Sequence, residues 1–223
     1  MKKMIGIVLG VLVLCAVGCE KNNDNNKANN IQEEINDVSK QDETFDINTV
    51  KNTEATEAQY FEFEEVEGGL SITAYNGSNE IVVIPEKIEG KNVVSIGEMA
   101  FANNEDLRAV KLGNNIEIIM NDVFANCFDL EIVICGSGLK TIREYAFNYC
   151  TSLKNVELNE GLEEIGMLCF GKTDSLTELY VPSSVSKITD PFVSDMTNVT
   201  IIAEEGSAAE AYAEEVGIPY KNK

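Results

Sequence analysis

Phenylalanine recurs at positions 101, 124, 147 and 170, each 23 residues after the last, and no other feature of the chain restricts its fold so tightly. Two further columns keep the same period and register: Leu107, Leu130, Leu153, Leu176 and Val199, and Ile96, Ile119, Ile142, Ile165 and Ile188. Self-similarity at a fixed short period is the signature of a stacked repeat, because one unit of this size cannot bury its own apolar face. Within a unit the apolar positions are regular, as in Leu153, Val156, Leu158, Leu162, Ile165 and Phe170. The alternation across Val156-Glu157-Leu158 suits a short strand with every second side chain inward, and the turn after it carries Leu162 and Ile165 beneath. Each unit is therefore expected to be one coil of a solenoid, with each Phe lying on the previous one. Burying one such ring contributes about 1.5 to 3 kcal/mol.

The repeats are flanked by segments of different character. Tyr60 to Ile84 holds Phe61, Phe63 and Val66 with turn signals at Gly68-Gly69 and Asn76-Gly77, and reads as hairpin strands that close the first coil. At the far end, Ala208 to Val216 is alanine-rich, with Ser207 placed as N-cap and Gly217 as stop, and reads as a terminal helix. One unit departs from the period: Phe192 stands one place early, beside Pro191, and Val193 takes the aromatic slot, so that coil is expected to be distorted. The fold class that follows is an α/β repeat solenoid of 23-residue units over residues 58–223, with a β-hairpin cap and a helical cap.

Before the repeats lies a polar tract. Residues 19–57 are rich in Asn, Asp, Glu, Lys and Thr, with too few apolar side chains to offset the entropy of ordering, and are expected to form a disordered tether. Ile31, Ile35 and Val38 at helical spacing are an exception too small to change that reading. A flexible coil of this length reaches roughly 35 Å. Ahead of it, Lys2 and Lys3 precede an apolar run from Met4 to Val17, then Gly18 and Cys19, the layout of a secretory signal over residues 1–18. The run is too short for a bilayer core, which needs about 20 residues. Ala16-Val17-Gly18-Cys19 resembles a lipobox, although Ala16 stands where Leu is usual, and the resemblance implies that Cys19 receives the lipid and becomes the mature N-terminus.

The repeat itself resembles the BspA-like, or Treponema-type, leucine-rich repeats of bacterial surface proteins. The residues that carry the likeness are Ile96-Gly97-Glu98-Met99-Ala100-Phe101, Phe124-Ala125-Asn126-Cys127, Tyr145-Ala146-Phe147-Asn148-Tyr149-Cys150 and Val181-Pro182, and it extends over about residues 60–220. It implies adhesion or protein binding at the cell surface, without catalysis and without a cofactor.

Charge and composition narrow the function further. The formal net charge is −21 and there is no histidine, so the field repels nucleic acid and anionic lipid headgroups. Contact with a membrane is then expected only through the N-terminal lipid. The lack of histidine excludes Ser-His-Asp, Cys-His and His-metal chemistry. Cys127, Cys135, Cys150 and Cys169 contain no CxxC pair; they suit free core thiols, with a Cys127–Cys150 disulfide and a metal site as alternatives. Adjacent carboxylates such as Glu163-Glu164, Glu204-Glu205 and Glu214-Glu215 read as solvated surface. No catalytic residue and no metal ligand is assigned. Strand alternation turns one column outward, Lys111, Ile134, Glu157 and Tyr180, about 4.8 Å apart along the stack. That row, with its exposed aliphatic and aromatic members, is the expected binding surface for a protein or surface ligand of a monomeric module. A structural envelope lipoprotein with no external ligand is the alternative, and an enzyme is disfavoured.

Overall fold

The computed structural model describes residues 46–192 and 198–223. The described residues begin with a short helix, α1 (Ile47–Asn52), and a single 3-10 turn (Ala58–Tyr60). An antiparallel hairpin follows, β1 (Phe61–Val66) with β2 (Gly69–Tyr75). The coils then contribute strands to two walls. One wall is built of β5 (Lys91–Ile96), β7 (Ile118–Ile119), β9 (Thr141–Ile142), β11 (Glu164–Ile165) and β13 (Lys187–Ile188), parallel and joined to the hairpin through β2. The other wall holds β3 (Ile81–Val83), β6 (Ala109–Lys111), β8 (Ile132–Ile134) and β10 (Asn155–Glu157), also parallel. Beyond it β12 (Glu178–Tyr180), β14 (Thr200–Ala203) and β15 (Tyr220–Asn222) form a separate three-stranded sheet. A two-residue strand, β4 (Lys87–Ile88), folds back on β5 through Glu89 and Gly90, both at positive φ. Helix α2 (Ala208–Val216) lies between β14 and β15. Among the described residues, helix thus enters only outside the coils, whose own walls are strand and turn.

The register matches the sequence period. Val110 pairs Val133, which pairs Val156, and Ile96, Ile119, Ile142, Ile165 and Ile188 follow one another in the opposite wall. Both columns face one apolar core, together with the Leu107 column. Phe101, Phe124, Phe147 and Phe170 form a continuous stack with ring centroids 5.0, 5.2 and 5.6 Å apart. Offset stacking of this kind adds about 0.5 to 1.5 kcal/mol per pair beyond the burial. The stack is longer than the period alone indicates. Tyr75 of β2 continues it at 5.1 Å from Phe101, and Phe61 follows at 5.4 Å from Tyr75. At the other end Phe192, one place early, still reaches Phe170 at 6.0 Å.

Between the two strand walls runs a third side made of turns, and here the backbone does something the sequence pattern does not announce. Met99, Asp122, Tyr145 and Leu168, and again Asn103, Asn126, Tyr149 and Lys172, have φ between 50° and 61°. Each Phe is therefore bracketed by two left-handed residues, a conformation that costs a non-glycine residue about 1 to 2 kcal/mol. The geometry turns every second N–H toward the next coil: Phe101, Phe124 and Phe147 donate to the carbonyls of Val123, Ala146 and Cys169 at 2.8 to 2.9 Å. Those coil-to-coil bonds and the buried rings offset the strain.

The ends show one agreement and two corrections. The terminal helix is where the sequence places it: Ser207 Oγ accepts from the Glu210 N–H at 3.3 Å, Gly217 stops it at φ 75°, and Ala209 and Ala213 are buried in the core. The hairpin is narrower than expected. Asn76-Gly77 does not turn one hairpin strand into the next; it carries the chain across to β3, which pairs parallel with β6 and belongs to the first coil. The second correction concerns the tether. Residues 46–57, assigned to a disordered segment, hold α1 and an extended stretch in which the Thr56 N–H donates to the Val83 carbonyl at 2.9 Å. The signal segment, Cys19 and the rest of the tether lie outside the described residues.

Candidate binding surface

Sequence periodicity points to Lys111, Ile134, Glu157 and Tyr180 as one outward row. The first three are direct neighbours on β6, β8 and β10, while Tyr180 lies in the separate sheet. Their direction is as expected, since Val110 and Val133 between them point into the core. Their exposure is not. Helix α1 lies across this wall: Val50 is fully buried against Ala109, Ile132 and Ile134, with Ile47 and Ile81 packed at the margin. Ile134 is left 7 % exposed. Lys111 Nζ donates to the Lys51 carbonyl at 2.7 Å, capping the C-terminal end of the helix, and Lys51 Nζ pairs with Glu157 at 2.7 Å. Tyr180 donates its hydroxyl to Glu160 at 2.8 Å and carries the Lys223 ammonium 4.0 Å from its ring centre. Burial, together with the Glu160 carboxylate, holds the Tyr180 phenol above its usual range against the opposing pull of Lys223. Every member of the row is engaged by the chain itself. The reason is that alternation fixes which way a side chain points, whereas exposure depends on what non-repeating sequence folds over it.

Why α1 forms there is legible in hindsight. Asp46 is an N-cap whose carboxylate accepts from the Asn48 N–H at 3.1 Å, and Ile47 and Val50 are spaced to put two aliphatics on one face. Six residues cannot sustain a helix alone. The apolar floor provided by Ala109, Ile132 and Ile134 completes it, and that floor is visible only once the strands are in place.

The cysteines carry no chemistry at this surface. Cys127, Cys135, Cys150 and Cys169 are free thiols. Cys127 and Cys150 donate Sγ–H to the carbonyls of Phe101 and Phe124 at 3.2 Å, the same contact one repeat apart. Burial pushes the Cys127 and Cys135 thiols up to about 12 and raises Cys150 and Cys169 well above the ordinary value. A thiol so far from ionisation is a poor nucleophile. Among the described residues no group of three or more Cys, Asp or Glu is placed to hold a metal ion.

The turn side, which periodicity leaves unassigned, holds most of the large exposed apolar residues among the described residues. Met99, Phe128 and Tyr149 are 57, 47 and 46 % exposed, and Met120 and Met167 are also open. Tyr149 belongs to the coil after Phe128, and their turns touch where the Phe128 carbonyl accepts from the Ser152 N–H at 3.1 Å. The Tyr145 N–H likewise donates to the Met167 carbonyl at 3.0 Å. Acids interleave them: Glu98, Glu105, Asp122, Asp129, Glu144 and Asp174 occupy the same side. Burial and the nearby Glu98 carboxylate push the Asp122 carboxyl up. Met99 and Tyr149 stand at positive-φ positions, a signal hidden from periodicity because the left-handed positions are not glycine.

One more concavity faces solvent. The β1–β2 turn overhangs the wall of β5 and β7 to make a groove of about 470 Å³, lined by Val66, Glu67, Val94, Asn115, Glu117 and Lys140 among others. Glu117 and Lys140 pair across coils at 2.8 Å.

The comparisons agree with this architecture. A family profile described as BspA type leucine rich repeat region matches residues 73–200 in 6 copies. The crystal structure of a leucine rich repeat protein from T. pallidum is similar at 28 % identity and a TM-score of 0.63, over 67 % of this chain and 71 % of that one. A leucine-rich repeat protein from Bacteroides ovatus shares the fold at 24 % identity and TM-score 0.55, covering 64 % of this chain and 39 % of that chain. The pneumococcal vaccine antigen PcpA shares it at 16 % identity and TM-score 0.53, covering 75 % and 49 %. The chain thus spans under half the length of those last two. No curated protein matches it.

Proposed function

The chain belongs to the BspA-type leucine-rich repeat family, and from that premise we propose that it is a lipid-anchored module on the bacterial cell surface that binds a protein partner and catalyses nothing. The observation that carries the binding is that Met99, Phe128, Tyr149 and Met167 stand open on the turn side, one in each of four successive coils. Aromatic and methionine side chains are enriched at interfaces, and a solvated surface has no need of them in neighbouring coils. The acids between them, within a net charge of −21, favour a partner whose apolar contact patch is rimmed by basic residues. Anchoring rests on Ala16-Val17-Gly18-Cys19, with the polar tract beyond as a tether.

Two measurements test the two halves. Cys19→Ser should move the exported chain from the detergent phase to the aqueous phase; partition unchanged by that substitution removes the anchor. For binding, the immobilised full chain is titrated with purified extracellular proteins, and Phe128→Glu with Tyr149→Glu should weaken a captured protein at least tenfold without changing the melt. A partner indifferent to that pair but sensitive to Glu117→Lys moves the site to the hairpin groove.

A further inference from the structure

We infer that the wall beneath α1 is itself a docking groove for a short helix, and that α1 is its resting occupant, exchanged for a partner segment of the same chemistry. This groove shares no residue with the turn side, so it stands apart from the reading above.

Three observations support exchange over a fixed ornament. First, α1 is held locally: one fully buried side chain, Val50, one ion pair whose partners are both more than 40 % exposed, and one hydrogen bond from Lys111. Second, the sheet does not need it. β6 is hydrogen-bonded between β3 and β8, and β8 between β6 and β10, so departure of α1 leaves no strand unpaired. Third, within this wall the outward side chains are apolar under α1 and polar on the following strand. Ala109, Ile132 and Ile134 form that floor, while β10 turns Asn155 and Glu157 outward. A bare floor of this kind would not persist in water, which favours replacement of one helix by another.

The groove also states what fits it. A β-branched side chain fills the site of Val50, a basic residue beside it meets Glu157, and Lys111 donates to the helix C-terminus, whose carbonyls and dipole suit a cation. A cavity of about 370 Å³ continues the groove past Lys51 and Ala55, between Pro85-Glu86 and Gly113, Gly136, so a longer or bulkier segment than α1 has space to occupy. The pivot is set by the chain. Thr56 is tied to Val83 by two hydrogen bonds of 2.9 and 3.0 Å, while Glu54 and Ala55 before it are exposed.

The test uses the full chain and, as probe, a fluorescent peptide of residues 46–57. Val50→Glu should release α1 and leave a folded chain that binds the peptide at least tenfold tighter than wild type, whose own helix competes. A peptide carrying Lys51→Glu should bind that variant at least fivefold more weakly, and Glu157→Lys in the chain should restore it. Hydrogen exchange in wild type should show the Val50 amide exchanging at least a hundredfold faster than that of Val133. The inference is overturned if Val50→Glu unfolds the chain or if both chains bind the peptide alike. It is overturned too if the charge swap restores nothing, or if α1 exchanges only with the whole molecule. Concentration-dependent dimers of wild type would make the occupant a second copy of this chain and equally end the exchange reading.

Discussion

The inner column of phenylalanines and the outer row of Lys111, Ile134, Glu157 and Tyr180 share one period, yet they end in opposite relations to the sequence. The rings at 101, 124, 147 and 170 stack as their spacing requires, because a repeat that buries its aromatic face has one place to put it. The outer row keeps its direction and loses its solvent. Stacking satisfies the inside of a coil completely and leaves the outside open to whatever the ends of the chain supply. Here one end supplies α1 and the other supplies Lys223.

The largest expected effect breaks the inner column. Phe147 is fully buried between rings at 5.2 and 5.6 Å, so Phe147→Ala should destabilise the domain by about 3 to 5 kcal/mol in denaturant melts. A loss under about 1 kcal/mol would mean the stack is not holding the coils. Next comes the corner that separates inside from outside. A Cβ on Gly136 would stand 2.3 Å from the Gly113 carbonyl oxygen of the preceding coil, which is backbone and cannot swing away. Gly136→Ala should therefore wedge two coils apart at a cost of about 1 to 3 kcal/mol. An unchanged melting temperature would show that the coil spacing relaxes freely at that corner.

What the sequence made legible follows the same division. The coil length, the three inward columns and the terminal helix were readable because each is fixed by a strong local rule: an apolar period, an N-cap serine, a stop glycine. The outward residues were readable only in direction. Ile134 failed as an exposed anchor because Val50 is 84 positions earlier, outside the repeat, in a tract whose composition resembles disorder. The exposed turn side was missed for a different reason. Left-handed backbone at Met99, Asp122, Tyr145 and Leu168 normally announces itself through glycine, and here it does not. Tyr75 and Phe61 escaped the aromatic column because they come from the hairpin, where no 23-residue step leads to them.

A smaller effect tests how much the outer charges matter. Glu131 sits between Arg108 at 2.5 Å and Lys154 at 3.1 Å, its counterparts one repeat before and after, with its side chain 16 % exposed. Burial pushes this carboxyl up, but the two cations outweigh it and leave it below its ordinary value. A carboxyl depressed in the folded state contributes stability above its unfolded pKa and loses it as pH falls through the folded one. Glu131→Gln should accordingly cost about 1 kcal/mol at pH 7, with the gap to wild type closing on acidification below the ordinary carboxylate range. A gap that stays constant with pH would assign the loss to packing.

The smallest effect has the opposite sign and sharpens the comparison on the turn side, at a carboxylate raised by a neighbouring carboxylate. Burial and the Glu98 carboxylate raise the Asp122 carboxyl, so the folded chain favours its protonated form. For a group raised on folding, the stabilisation is complete below the unfolded pKa and is lost as pH rises through the folded one, which makes the ionised Asp122 a liability at neutrality. Asparagine removes the charge, keeps the shape, and accepts the φ of 56° found there, since Asn tolerates the left-handed region well. The coil-to-coil bond from the residue 122 N–H to the Glu144 carbonyl at 3.1 Å is untouched, being backbone. Asp122→Asn should therefore stabilise the domain by about 0.5 kcal/mol at pH 7, an advantage that fades as pH drops through the ordinary Asp range. Destabilisation at neutral pH would show that the carboxylate is needed for a contact on the turn side, and would make Asp122 part of the surface that carries Phe128 and Tyr149.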